Sequence, residues 1–143
     1  MKVSTKGRYA LRMLLDLAEH NSKFISLKEI AERQNISKQY LEQIVSLLNT
    51  SNILRTNRGK QGGYMLAKRP SEYTVREILR ITEGNLAPVT CLEEDINDCE
   101  KAAYCKTLPM WTGLQKVIDD YLGGVTLQDM LEQCPDGVDN WVI

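Results

Sequence analysis

Hydrophobic positions in the first fifty residues repeat at helical spacing in three successive stretches, Lys6–Glu19, Leu27–Gln34 and Ser37–Asn49. Each stretch has apolar residues on one side and polar residues on the other, which predicts three amphipathic helices. The inward stripe of the first helix is Ala10, Met13, Leu14, Leu17 and Ala18, and that of the third is Leu41, Ile44, Val45 and Leu48. A short helix, a brief turn and a longer helix are typical of a helix-turn-helix.

Hydroxyl residues mark the predicted helix starts. Ser26 and Thr74 are each followed three positions later by a glutamate, which is the pattern of a capping box. Thr126 followed by Asp129 is a weaker version, and Ser37 can cap a helix without an acidic partner.

A β-hairpin is predicted directly after the third helix. Two strand-like runs, 53–57 and 64–67, flank the basic, glycine-rich turn Arg58-Gly-Lys-Gln-Gly-Gly63. Glycines there permit close approach to a phosphate or a groove floor, and Arg58 and Lys60 supply positive charge. A hairpin in this position is a wing, so the predicted fold is mainly α-helical with a small β-hairpin wing: a winged helix-turn-helix followed by a long C-terminal helix.

The pattern divides the chain into four segments, with a winged domain over residues 1–84 that ends in a helix from Thr74 to Glu83. Residues 85–108 lack periodicity and contain three of the four cysteines. Residues 109–133 predict a long helix from Pro109 to Leu122 and a short one from Leu127 to Gln133. The tail, residues 134–143, is predicted to be poorly ordered from Pro135 onward.

Charge is distributed unevenly along the chain. The net charge is −1, but residues 1–69 carry 13 Lys/Arg against 5 Asp/Glu, whereas residues 70–143 carry 5 against 14. A basic half at +8 and an acidic half at −9 favour contact between the basic half and a polyanion, although segregated charge can also serve self-association.

The exposed face of the third helix presents Lys38, Gln39, Glu42, Gln43 and Ser46. Such side chains can read base edges or contact phosphates in the major groove. An ordinary solvated face has the same composition, so the adjacent wing and the basic charge are what favour DNA.

Three runs resemble the Rrf family of bacterial winged-helix regulators: Lys6-Gly-Arg-Tyr-Ala10, Ser37-Lys-Gln-Tyr-Leu-Glu-Gln43 and Arg58-Gly-Lys-Gln-Gly-Gly-Tyr64. The resemblance extends from residue 2 to about Leu131. It implies a homodimer on a palindromic operator in double-stranded promoter DNA, with the helix from Pro109 to Leu122 as the dimerisation helix. It also implies base contacts from the third helix and minor-groove insertion around Arg58. The residues expected to bind DNA are Lys2, Lys6, Arg8, Ser37, Lys38, Gln39, Tyr40, Glu42, Gln43, Arg58, Gly59, Lys60 and Gly62.

Cys91, Cys99 and Cys105 lie within 15 residues of one another in the acidic segment. Three thiolates so close together in a reducing compartment suit a soft metal or an iron–sulfur cluster. Their spacing resembles that of the IscR/NsrR-like cluster-binding subgroup, although the first interval is longer, whereas the CymR-like subgroup generally lacks the triplet. The resemblance implies a regulator, acting as a repressor, that senses cluster or redox status through a cluster of the 2Fe–2S rather than the 4Fe–4S type.

A fourth cluster ligand is not identified by the resemblance. Leu108 stands where IscR-like members have a histidine, and Arg8 stands where NsrR-like members have an aspartate. The only histidine, His20, is interpreted as a surface residue. The open candidates are Cys134, a carboxylate among Glu93, Glu94 and Asp95, a side chain of the partner subunit, or a small thiol.

Two other functions are compatible with this sequence. One is a cluster-free, CymR-like regulator of cysteine or sulfur metabolism that is controlled by a protein partner or a metabolite. The other is an interaction module whose cysteine loop binds zinc and whose acidic half is the main surface. A reduced cysteine loop without metal is a further alternative.

Catalysis and membrane association are not expected. A single histidine and no Ser/His/Asp set exclude most general-base schemes, and the wing glycines lack the context of a phosphate-binding loop. No apolar run approaches the roughly 20 residues of a membrane span, and Arg12, Asp16 and Glu19 interrupt the first apolar stretch. We therefore expect a cytoplasmic protein.

Overall fold

The computed structural model describes residues 1–133 and forms a mainly helical fold with one two-stranded antiparallel sheet. Short 3-10 turns lie at Pro70–Glu72, Thr90–Leu92 and Ala102–Tyr104. The prediction for the tail falls outside the described residues. The helices and strands are α1 (Thr5–Glu19), α2 (Leu27–Gln34), α3 (Lys38–Asn49), β1 (Leu54–Asn57), β2 (Gly63–Leu66), α4 (Val75–Glu83), α5 (Leu108–Gly123) and α6 (Leu127–Gln133).

Every predicted helix and the hairpin are present, with ends that differ by one or two residues. Ser37 is the cap of α3 rather than its first residue, because its backbone is extended and its hydroxyl accepts from the Tyr40 N–H. The long helix begins at Leu108, one residue earlier than expected. At Thr126 and Asp129 each side chain bonds the other residue's backbone N–H, so this capping box is complete.

Helices α1, α2 and α3 enclose the core with the apolar stripes that their sequences predict. Their fully buried residues include Met13, Leu14, Ile30, Leu41 and Ile44, which are 0% exposed. No helix formed by residues 1–133 has both the length and the hydropathy of a membrane-spanning segment.

A buried carboxylate joins α1 to α2. Asp16 is 2% exposed and accepts two hydrogen bonds from the Arg33 guanidinium, at 2.6 and 3.0 Å, and one from Gln34 at 3.0 Å. The bond to Asp16 raises the pKa of Arg33 above its ordinary value. A buried charge of this kind is tolerated because its oxygens are satisfied.

The wing is fixed to the helical core along β2. Strand β1 pairs with β2 from Leu54↔Leu66 to Asn57↔Gly63. Tyr64 exchanges both backbone hydrogen bonds with Ile25, at 2.8 and 2.9 Å, in the connection between α1 and α2. The hairpin is therefore tied to the core close to its turn, which residues 58–62 form.

Helix α6 returns to the winged core after α5. Leu127 is 0% exposed and belongs to the same apolar cluster as the stripes of α1 and α3. Its N–H donates to the Tyr73 carbonyl at 3.1 Å, and the Val75 N–H donates to the Val125 carbonyl at 2.9 Å. The chain thus leaves the winged domain at the end of α4, forms the cysteine loop and α5, and returns beside the start of α4.

Candidate functional site

Helix α3 presents an exposed polar face. Lys38, Gln39, Glu42 and Gln43 are exposed, whereas the neighbouring Leu41 is fully buried. Ser37 is exposed, but its hydroxyl is used as the helix cap, 3.2 Å from the Tyr40 nitrogen. The four exposed side chains lie on the surface that the sequence assigned to base and phosphate contacts.

The first turns of α1 and α3 are joined by aromatic rings. Tyr40 is half-buried and meets Tyr9 edge-on, with ring centroids 5.5 Å apart. The Arg12 guanidinium lies 5.1 Å from the Tyr9 ring centroid, in the range of a cation–π contact. This contact brings the basic first turn of α1, with Lys6 and exposed Arg8, next to the start of α3. Sequence reasoning did not single out Tyr9 or Arg12, because Tyr9 meets Tyr40 on α3 and Arg12 donates to Gln34 on α2.

The wing turn depends on glycine at two positions. Gly59 has a φ of 120°, which side chains rarely adopt, and its carbonyl accepts from the Gly62 N–H at 3.0 Å. A Cβ added to Gly62 would lie 2.3 Å from the Asn57 carbonyl oxygen. The turn leaves Arg58 and Lys60 exposed, and Arg58 lines an open cleft with Asn49 at the end of α3. The wing and α3 therefore border one surface.

Two further cations extend the basic surface and were missed from the sequence. Lys23 lines a cleft beneath the wing together with Lys60, and the Arg55 guanidinium lies 5.8 Å from the Phe24 ring centroid. Neither residue belongs to a motif, so only the excess of basic residues in this half of the sequence pointed to them.

The cations predicted to contact DNA have no acidic partners within residues 1–133. The ion pairs of that part of the chain involve other basic residues, among them Arg33, Arg80 and Lys116. Available charge of this kind suits a polyanion. The cations concerned are Lys2, Lys6, Arg8, Lys38, Arg58 and Lys60.

Lys2 lies beside the cysteine loop. It precedes α1 and lines a cavity of about 230 Å³ with Glu83 and Glu93. This residue predicted to bind DNA therefore borders the same cavity as Glu93 of the acidic segment.

The cysteine loop runs from Gly84 to the start of α5. Cys91 lies in the 3-10 turn Thr90–Leu92, and Cys99 is exposed. Cys105 lies just before α5, with its Sγ 3.3 Å from the Thr107 hydroxyl. Hydrogen bonds from that hydroxyl and from the backbone N–H groups of Thr107 and Leu108 lower the pKa of Cys105, which favours the thiolate.

The donor chemistry of this loop fits a thiophilic metal or cluster, because three thiols stand in one segment and one of them is biased toward the thiolate. Within residues 1–133, however, no three Cys, His, Asp or Glu side chains are gathered closely enough to hold a metal ion. Glu93, Glu94 and Asp95 are exposed in the loop, and Cys134 lies outside the described residues. His20 is 2.8 Å from the Asp16 carbonyl oxygen at the end of α1, far in sequence from the loop.

Helix α5 has one face against α4 and one face exposed. Asp119 receives hydrogen bonds from Arg80, at 2.9 and 3.1 Å, and its carbonyl accepts from Arg76. Gln115 ties the same helix to the loop through the Leu92 carbonyl at 3.2 Å. The other face carries an apolar stripe whose members are 39–69% exposed: Met110, Leu114, Val117 and Tyr121.

Comparison with known proteins agrees with this architecture. Residues 3–133 match the family model Rrf2, described as an iron-dependent transcriptional regulator. The HTH-type transcriptional regulator CymR of Bacillus subtilis (strain 168) is 37% identical over 131 residues, 91% of this chain and 89% of CymR. The solved structure of CymR, described as the global cysteine regulator of B. subtilis, aligns at 34% identity with a TM-score of 0.79, covering 94% of this chain and 99% of that one.

Regulators named IscR are similar over the same range. IscR of Pectobacterium atrosepticum is 33% identical over 132 residues, 92% of this chain and 79% of that protein. The solved structure of T. potens IscR aligns at 35% identity with a TM-score of 0.76, covering 98% of this chain and 93% of that one. The matched family and these relatives are transcriptional regulators, not enzymes.

Proposed function

We propose that this chain, which belongs to the Rrf2 family of transcriptional regulators, binds promoter DNA as a homodimer and represses transcription in response to an iron–sulfur cluster. The observation that carries the DNA-binding part is the exposed polar face of α3 beside a basic, glycine-dependent wing. Cations without acidic partners surround both elements within residues 1–133.

In this proposal α3 enters the major groove, where Gln39, Glu42 and Gln43 contact base edges. Phosphate contacts fix the register of the protein on the duplex but carry no sequence information. They come from Lys2, Lys6, Arg8, Lys38, Lys60 and the backbone at Gly59 and Gly62. Ser37 and Tyr40 hold the start of α3 in place, and Arg58 inserts into the minor groove.

Dimerisation through α5 would place two copies of α3 on one face of the duplex. An exposed apolar stripe on a helix is a feature of protein interfaces. Dimeric helix-turn-helix proteins read half-sites about 34 Å apart, one turn of B-DNA, so this arrangement predicts a palindromic operator.

The sensing part of the proposal rests on Cys91, Cys99 and Cys105. These thiols would hold a 2Fe–2S cluster, with a fourth ligand from Glu93, Glu94, Asp95, Cys134, the partner subunit or a small thiol. When bound, such a group responds to oxidants and to iron supply through its thiolate-held iron. The loop can transmit its state to the dimer helix, since Gln115 of α5 bonds the Leu92 carbonyl, next to Cys91.

A cluster-free, CymR-like function is the second candidate. One observation favours it: within the described residues the three cysteines are not gathered into a group that could hold a metal ion. The solved structures of CymR and of T. potens IscR align over 94% and 98% of this chain, so structural similarity fits both candidates. In the CymR-like case a protein partner or a metabolite would control DNA binding, and the loop thiols would have another role.

The DNA-binding proposal is tested by selecting duplexes from a random pool with the full chain. Affinity for the selected sequence is then compared with affinity for a scrambled sequence at the same salt concentration. A good base contact discriminates by about 1–3 kcal/mol, so Gln43→Ala is expected to reduce the affinity ratio by roughly tenfold. Gln128→Ala, a matched change on α6, should leave the ratio unchanged. Equal affinity of the unaltered protein for selected and scrambled DNA would contradict the proposal.

The cluster proposal is tested on protein purified without oxygen. We expect visible absorption, about two iron and two sulfide ions per chain, and loss of both in Cys91→Ser. A colourless protein that still discriminates its operator would contradict the cluster and support the CymR-like function. One equivalent of zinc without operator discrimination would support the interaction module instead.

A further inference from the structure

Glu83 ends helix α4 and reaches across to the start of helix α1. Its Oε1 accepts a hydrogen bond from the Ser4 hydroxyl at 2.6 Å and one from the Ser4 backbone N–H at 3.2 Å. The two residues are 79 positions apart in the sequence. This contact therefore joins the end of the winged domain to the beginning of the chain.

Ser4 is also the N-terminal cap of α1. Its hydroxyl oxygen accepts from the Gly7 N–H at 3.1 Å, so one side chain both caps the helix and donates to Glu83. A carboxylate beside the N-terminus of a helix is stabilised by the helix dipole. The cap and the carboxylate form one unit that fixes where α1 begins.

Close packing at Gly7 reinforces this placement. A Cβ at this position would lie 2.3 Å from Glu83 Oε1 and 3.1 Å from Thr82 Oγ1. A larger residue here would require the Glu83 carboxylate to move away from the first turn of α1. That turn carries Lys6 and leads to Arg8, two of the cations expected to meet the DNA backbone.

Because Glu83 is negatively charged, we infer that it positions the first turn of α1 rather than binds DNA. A carboxylate near the phosphate backbone repels it, so by charge alone the residue weakens DNA binding. Its two hydrogen bonds to Ser4 are instead the kind that hold a neighbouring group in place.

Glu83 also stands at the entrance to the cysteine loop. Gly84 follows it with a φ of 84° and ends α4. The small cavity that Glu83 lines with Lys2 includes Glu93, two residues after Cys91. The residue therefore contacts the N-terminal segment at Ser4 and borders the same small cavity as Glu93 of the proposed sensing loop.

We propose that Glu83 is a positioning residue for DNA binding: through Ser4 it holds the first turn of α1, and with it Lys6 and Arg8, against the DNA backbone. This inference rests on the proposed DNA-binding function. It assigns to an acidic residue in the winged domain a role in binding a polyanion.

The test compares two carboxylate deletions on the same helix, Glu83→Ala and Glu77→Ala. Both remove one negative charge, which by itself favours DNA, so Glu77→Ala is expected to bind the selected operator as tightly as the unaltered protein or slightly more tightly. Glu83→Ala is expected to bind about fivefold more weakly, the scale of one lost hydrogen bond. The slope of log affinity against log salt should become shallower by about one phosphate contact in Glu83→Ala alone.

Two further variants separate positioning from a general loss of structure. Glu83→Gln keeps an acceptor oxygen for Ser4 and should retain nearly full affinity. Ser4→Ala removes the hydroxyl that both caps α1 and donates to Glu83, and it leaves α4 unchanged. If Glu83→Ala fails to fold, weaker binding by Ser4→Ala tests whether this unit positions α1. The double variant should bind no more weakly than the weaker single variant. Each protein is checked by thermal unfolding before binding is measured.

Equal affinity and equal salt slope for Glu83→Ala and Glu77→Ala would overturn the inference while leaving the proposed function intact. Failure of the unaltered protein to prefer its selected operator would instead overturn the proposed function. The two failures are therefore distinguishable.

Discussion

At the scale of single residues, Tyr73 joins the wing to the helical core. Its ring is 0% exposed, its hydroxyl donates to the Ile53 carbonyl at 2.7 Å, and the same hydroxyl accepts from the Lys68 N–H at 2.9 Å. These two backbone groups flank the strands of the hairpin. Burial raises the pKa of Tyr73, so the folded protein favours the neutral phenol.

Replacing Tyr73 by phenylalanine should destabilise the fold by about 1–2 kcal/mol, because two backbone groups lose their partner. The free energy of unfolding of the unaltered protein should also fall as the pH rises above about 10, the pKa of an unfolded tyrosine. Above that pH the Tyr73 phenol ionises freely only in the unfolded chain. That alkaline loss should be smaller in Tyr73→Phe. Urea unfolding at pH 7 and at alkaline pH measures both effects. Tyr104→Phe, at a residue 72% exposed, is the control, and identical unfolding of the two variants would contradict the assignment.

At the scale of elements, the sequence predicts the helices, caps and turns that depend on residues close together in the chain. Helices α1, α2 and α3 follow from apolar periodicity, and the caps at Ser26 and Thr74 follow from a hydroxyl and a glutamate three residues apart. The wing follows from a glycine-rich turn between two short strands. In each case the residues that form the element also carry the signal.

The sequence has no comparable pattern for contacts between residues that are far apart in the chain. The cap at Ser4 was missed because Gly7 stands where a capping box has an acidic residue, and the carboxylate that completes it is Glu83. Lys23 joined the candidate DNA surface only when folding brought it beside Lys60. Helix α6 was predicted as a helix, but its periodicity could not reveal that Leu127 packs into the winged core.

The arrangement of the thiols in the cysteine loop is a second feature that the sequence could not predict. Its spacing predicts a thiolate ligand set, yet ligand geometry depends on backbone turns that have no periodic pattern. The lowered pKa of Cys105 arises from a hydroxyl two residues away and from the backbone at the start of α5. Composition alone could not have identified which of the three thiols is favoured as a thiolate.

At the scale of the whole molecule, α5 is the element without a complete set of partners inside the described chain. None of its residues is buried, whereas α1 and α3 each bury several. Its stripe of Met110, Leu114, Val117 and Tyr121 runs along the side away from α4. A second copy of this chain would cover the stripe with an equivalent surface, as a two-fold dimer requires.

Val117→Glu is expected to convert the protein from a dimer to a monomer, because it places a charge in the centre of the apolar stripe. Val117 is 64% exposed, so the change should leave the fold of each chain unaltered. Thr112→Glu adds the same charge at an exposed position of α5 outside the stripe and should remain dimeric. Sedimentation velocity gives the oligomeric state. A dimeric Val117→Glu protein, or a monomeric unaltered protein, would contradict the assignment of α5.

The return of α6 to the winged core affects how the two halves of the molecule stay associated. Two backbone hydrogen bonds, Leu127–Tyr73 and Val75–Val125, join the end of the segment containing the cysteine loop and α5 to the start of α4. Leu127 is fully buried in the core. A chain nicked by a protease near Cys99 would consequently yield two peptides that remain one particle under native conditions. The peptide carrying α5 would stay bound to the winged domain through its own helix α6. The proposed sensing half therefore stays on the proposed DNA-binding half even when the chain is cut in the cysteine loop.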